Sequence, residues 1–145
     1  MSRQLLLAWI VAVLLLLSAC SDSDETSKVS ETQKYYLLES LNLVEQAGRV
    51  LQAKDLSQAK IQQALETMDR GLKLAFQVET EFLDNLDLRL GKNYQRYFVK
   101  GVENYRLGIE AGVQAQQQQG LEQLGQWAKF WSAEQSAIKA KLQSQ

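Results

Sequence analysis

The chain has 145 residues, with 16 Lys and Arg against 17 Asp and Glu, one cysteine, no proline and no histidine. Such balanced charge leaves no electrostatic footprint for nucleic acid, and the missing histidine removes the commonest general base and metal ligand. Ser-His-Asp and Cys-His catalysis and the Glu-x-x-His metal sites of helical bundles have no residues to work with, so a non-enzymatic protein without metal or cofactor is expected.

In chain order, Arg3 precedes an uncharged apolar run of 13 residues, 5–17, which is followed by the small Ser18 and Ala19. As a helix that run covers about 20 Å, well short of a ~30 Å hydrocarbon core. A basic start, a short apolar run and small residues before a cleavage point make a signal peptide. Leu17-Ser18-Ala19-Cys20 resembles the lipobox of bacterial lipoproteins at all four positions. The resemblance implies diacylglyceryl transfer to the Cys20 thiol, removal of residues 1–19, N-acylation of the new terminus and attachment through lipid. In the sorting rule of that family, aspartate directly after the cysteine favours the inner membrane. Ser21 stands there, with Asp22 next, which implies the outer membrane with the protein facing the periplasm.

Cleavage leaves 126 residues, enough for one compact domain. Residues 20–29 are polar after the cysteine and without hydrophobic periodicity, and read as a flexible tether. Residues 30–145 read as an all-α domain. Ser30 and Gln33 fit a capping box for a first helix, in which Leu37, Leu41, Val44, Gly48 and Leu51 share one face, ending near Lys54. Asp55 or Ser57 can cap a second, with Ile61, Leu65, Met68, Leu72, Phe76 and Leu83 at helical spacing. At 100° per residue Glu79 falls on the middle of that stripe, so a structural hydrogen bond to another helix is expected of it.

A third helix is expected over residues 91–117, with Tyr94, Phe98, Val102, Tyr105, Ile109 and Val113 inward. Gln116 to Gly120 form the expected turn, and a fourth helix carries Leu121, Leu124, Trp127, Trp131, Ile138 and Leu142 on one face. Four amphipathic segments with short connections predict an antiparallel, up-down-up-down four-helix bundle. The stretch from Asp84 to Leu90 is either a loop or a kink.

Three features bear on function. Glu79, Glu81, Asp84 and Asp87 are acidic neighbours, but without the oxygen-ligand spacing and central glycine of a calcium loop they read as a solvated helix end. Gly101, Gly108 and Gly112 interrupt a helix at about 1 kcal/mol each relative to alanine; close helix packing or a ligand crevice would account for them. Tyr94, Tyr97, Phe98 and Tyr105 of the third helix and Trp127, Phe130 and Trp131 of the fourth form an aromatic concentration, either core seam or recognition groove. Helical projection turns Leu107 and Phe130 outward, where together they would make a partner patch.

The expected role is therefore a protein-binding or accessory module of an envelope or secretion assembly, held on the membrane by lipid and working with an envelope protein partner. In plan, a lipobox followed by a short helical domain, the chain is similar to helical type II secretion pilotins, though the cysteine pair associated with that family has no counterpart. The alternatives are a carrier or sensor of a small apolar ligand in the bundle interior, and a self-associating structural envelope protein.

Overall fold

The computed structural model describes residues 22–144. The chain separates into two units, residues 1–32 and 33–145. The apolar stretch and Cys20 lie outside the described residues. All regular structure among the described residues is helical: α1 (Asp22–Leu51), α2 (Gln58–Ala75), α3 (Thr80–Leu86), α4 (Leu90–Asn93), a π-helical segment (Tyr94–Val99), α5 (Lys100–Ala111) and α6 (Gln114–Ser144).

Residues 22–29, expected as a tether, are instead the first turns of α1. A capping signal at Ser30 permits a start but does not compel one. No proline or glycine stands between residues 21 and 47, and each residue added to an existing helix gains a hydrogen bond without a new nucleation cost. The start of α2 does follow its signal: Ser57 is extended (φ −88°, ψ 159°) and its hydroxyl accepts from Lys60 N–H.

The expected second helix ends early, at Ala75, although nothing in residues 76–79 breaks helices by itself. The cause lies 44 residues upstream. Gln33, 5% exposed on α1, donates from Nε2 to the Gln77 carbonyl at 3.2 Å, and its Oε1 accepts from Glu79 N–H at 2.8 Å. One amide thus serves a carbonyl after α2 and an amide opening α3, groups a helix end leaves unpaired. Two sequence expectations fail with that break. Phe76, expected inward, is 57% exposed. Glu79, expected on the buried stripe, is the N-cap residue of α3 with an exposed side chain; only its backbone makes the interhelical bond.

A tight connection joins α3 to α4. The Asp84 carboxylate accepts from Gly91 N–H at 3.2 Å, Leu90 N–H donates to the Asp87 carbonyl at 2.8 Å, and Lys141 Nζ of α6 donates to the Leu86 carbonyl at 2.6 Å. From Leu90 the helix is continuous to Ala111 but widens through the π segment. Tyr94, Phe98 and Val102 are four residues apart, a spacing that drifts by about 40° per step on a regular α-helix. The widened turn coincides with burial of all three, and of Val99.

The turn between the last two helices falls at Gly112, not in the glutamine run. Gly112 has φ +67°, a left-handed conformation with little penalty for glycine. Val113 N–H reaches back to the Gly108 carbonyl at 2.8 Å, the closure typical of a glycine-terminated helix. Gln116 to Gln119 then lie inside α6, consistent with glutamine's good helix propensity. The core of residues 33–145 draws on Leu37, Val44 and Ala47 of α1, Ala64, Met68 and Leu72 of α2, Phe82, Leu83 and Leu86 of α3, Leu90 of α4, Tyr94, Phe98 and Val99 of the π segment, Val102 of α5, and Trp127, Ile138 and Leu142 of α6.

Candidate functional site

The aromatic concentration is assembled by the π segment and α6. Trp127 is its centre: its ring stacks on Trp131 at 5.4 Å and 22°, meets Tyr94 edge-on at 5.7 Å and 74°, and lies 5.4 Å from Phe98 and 5.8 Å from Phe130. Tyr94 stacks on Phe98 at 5.0 Å and 27°. Helical spacing of three or four residues places each same-helix pair side by side, and these separations are those at which aromatic pairs attract. Tyr94 is 0% and Trp127 6% exposed. The rings fill one another's surroundings.

The polar end of Tyr94 is also satisfied internally. Its hydroxyl lies 2.7 Å from Ser40 Oγ on α1, and Ser40 donates to the Leu37 carbonyl at 2.8 Å. A serine hydroxyl has one hydrogen, so Tyr94 is the donor between them. Burial pushes the Tyr94 phenol well above the ordinary tyrosine value, against a smaller lowering by Ser40. Ser40, with Gln33 and Thr67, is therefore among the buried polar positions of this interior, and Glu79 is not. The signal for Ser40 was present: it lies between Leu37 and Val44 on the apolar face of α1.

The remaining aromatic candidates sit at the margin. Trp131 and Phe130 are half-buried and pack on the core, so Phe130 does not project away from it. The Arg89 guanidinium stands 5.8 Å over the Phe130 ring while pairing with Glu134 at 2.8 Å and Asp87 at 3.2 Å. Tyr105 is half-buried, with its phenol raised by burial. Leu107 is half-buried too, and no joint patch with Phe130 exists. Alanine-sized additions at Gly108 and Gly120 would meet Gln117 and Tyr105 respectively, which sets the register of the hairpin. Leu107 is thus level with Gln118, twelve residues of α6 from Phe130, or about 18 Å.

Close approach also explains the glycines. An added Cβ at Gly101 would lie 3.0 Å from Leu124, and one at Gly108 would lie 2.8 Å from Gln117 Cγ. The partner surfaces are backbone and short stems of α6, so the spacing serves helix contact. The acidic neighbours separate: Asp84 bonds Gly91 N–H, Asp87 is held below the usual carboxylate range chiefly by hydrogen bonds from the Arg89 side chain and backbone, and Glu79 and Glu81 face solvent. No group of three or more metal-ligating side chains is found among the described residues.

Open space lies on the surface. A cleft of about 900 Å³ separates α2 from α5 and is lined by Gln62, Glu66, Asp69, Arg70, Arg106 and Glu110 among others. A second, about 560 Å³, lies beside Tyr97, Gln123 and Lys129. Neither is lined by Trp127, Phe130 or Trp131. The sequence reading missed the first cleft. Arg106 is 40° from Val102 on the helical wheel, so a cation at the edge of an apolar stripe was its signal. No helix among the described residues is long and apolar enough to cross a membrane. No protein-family model, no curated protein and no solved structure matches the chain.

Proposed function

We propose that this chain is an outer-membrane-anchored periplasmic lipoprotein that acts as a non-enzymatic docking module for a protein of an envelope or secretion assembly. Its helices are arranged in this reading as an antiparallel four-helix bundle, in keeping with the α5–α6 hairpin and the short links between the other elements. The lipobox resemblance of residues 17–20 supports the anchor and the compartment. The observation that carries docking over storage of an apolar ligand is the aromatic seam. Tyr94, Phe98 and Trp127 occupy one another's space at 5.0–5.7 Å, whereas the described clefts open outward and are lined mostly by residues with polar or charged side-chain ends. Polar, partly solvated surfaces are ordinary for reversible protein contacts.

The test is chemical crosslinking and pull-down of the acylated protein from its native envelope, beside Cys20→Ala. One dominant partner, lost with the anchor, is expected. Absence of a partner from both forms, with a small apolar molecule retained on native mass spectrometry, would overturn the reading.

A further inference from the structure

Contact explains three glycines of the α5–α6 hairpin: an added Cβ at Gly101, Gly108 or Gly120 would meet the opposite helix. Contact does not explain Gly125. It lies inside α6, where glycine is costly relative to alanine, yet an added Cβ would find nothing within 4 Å. Gly48 on α1 is equally open, but of the two only Gly125 lines a described cleft, the one of about 560 Å³ beside Tyr97. A glycine also lets another main chain approach closely.

The rest of that lining narrows what approaches it. It comprises the Tyr97 ring, the carboxylate of Glu122, the ammonium of Lys129 and the amides of Gln119, Gln123 and Gln126. The two charges cancel, so neither an acidic nor a basic occupant is favoured. Gln123 is committed, accepting from Asn104 at 2.8 Å and donating to the Arg96 carbonyl at 3.4 Å. Gln119 and Gln126 are exposed and have no partner among the described residues. A free side-chain amide presents a donor and an acceptor together, which is what the N–H and C=O of a main chain require. A helical segment has spent those groups internally; an extended one has them free. From Gln119 to Lys129 the cleft follows α6 for about 15 Å, the span of about four or five extended residues.

Resting on the docking reading above, we propose that this second cleft is the docking surface and that it receives an extended, uncharged stretch of the partner protein. The partner's main chain passes close to Gly125 and pairs with the amides of Gln119 and Gln126.

The experiment places a photo-crosslinking amino acid in the full acylated chain in its native envelope, at position 133, exposed on α6 one turn beyond Lys129, or at position 63 on the α2–α5 cleft. Capture of a partner segment at 133 is expected. That segment is identified, synthesised, and titrated against the purified acylated protein in detergent. Gly125→Ala should weaken binding at least about tenfold, the effect of an overpacked methyl, while raising the melting temperature. Lost affinity with gained stability separates the site from folding. Gly48→Ala adds the same methyl away from the cleft and should leave affinity unchanged. N-methyl amides in the peptide's main chain should weaken binding as well. Indifference to Gly125→Ala, or capture only at 63, overturns the site, and indifference to the N-methyl amides overturns main-chain pairing; docking itself survives each. Capture at 133 of a polysaccharide, or of a second copy of this chain, overturns the occupant. Capture at neither position, and none by chemical crosslinking, removes the docking reading as well.

Discussion

The Ser40–Tyr94 pair makes a quantitative test of the interior. Both side chains are 0% exposed, and the hydrogen runs from Tyr94 to Ser40, whose own hydrogen is committed to Leu37. Tyr94→Phe removes the donor and leaves serine's hydroxyl hydrogen satisfied, so it should cost about 1 kcal/mol, the net worth of an ordinary hydrogen bond. Ser40→Ala strands the phenol O–H in a dry site and should cost about 2 kcal/mol, the larger penalty of an unpaired buried donor. The double variant strands nothing and should again cost about 1 kcal/mol, about 2 less than the sum of the singles. Denaturant unfolding of all four proteins, with unchanged slopes, measures these values. Additivity within about 0.3 kcal/mol, or a Tyr94→Phe cost above that of Ser40→Ala, would refute the assigned direction of the bond.

The same phenol sets an alkaline limit: burial keeps Tyr94 protonated in the folded chain, while the unfolded chain releases that proton above pH about 10. The folded state then binds more protons, so stability falls by about 1.4 kcal/mol per pH unit above that point, and Tyr94→Phe should lose this portion of the slope in unfolding measured from pH 9 to 11. Gly120→Ala would set a methyl 2.7 Å from Tyr105 Cα and should destabilise by about 2–3 kcal/mol. Gly125→Ala, with nothing within 4 Å, should stabilise by up to about 1 kcal/mol, and thermal melting of the two should move in opposite directions. Gln33→Ala should cost about 2 kcal/mol and speed hydrogen exchange at the Glu79 amide, which loses its acceptor.

Periodicity made the helical class legible, because Leu37, Val44, Met68, Leu72, Phe98 and Trp127 carry their burial in their spacing. Ser57 was readable as a cap, and the spacing of Gly101 and Gly108 as a close helix contact. What escaped were decisions made at a distance. Residues 76–79 contain no breaker, and their interruption depends on Gln33 from another helix. The turn lies at Gly112 and not in the glutamines at 116–119, because one left-handed glycine ends a helix while glutamine extends one. The candidate site was legible in its residue types and not in its arrangement. Tyr94, Trp127, Phe130 and Trp131 do come together, but Tyr94 and Trp127 are packed interior and Phe130 and Trp131 its half-buried margin, while the α2–α5 cleft is built from arginines and carboxylates whose spacing matches any solvated helix face.

The π segment bears on how variants of this chain should be compared. A widened turn absorbs one residue beyond the regular helical count, so a version lacking one residue between Tyr94 and Val99 could close to an ordinary α-helix and leave both flanking faces where they are. A single gap inside a helix would otherwise rotate everything after it by 100°. Here it would spare Val102 and the hairpin beyond, and the loss would fall on the Tyr94–Phe98 stack alone. The length of this stretch is thus a tolerated variable, and its aromatic pair is what the extra residue secures.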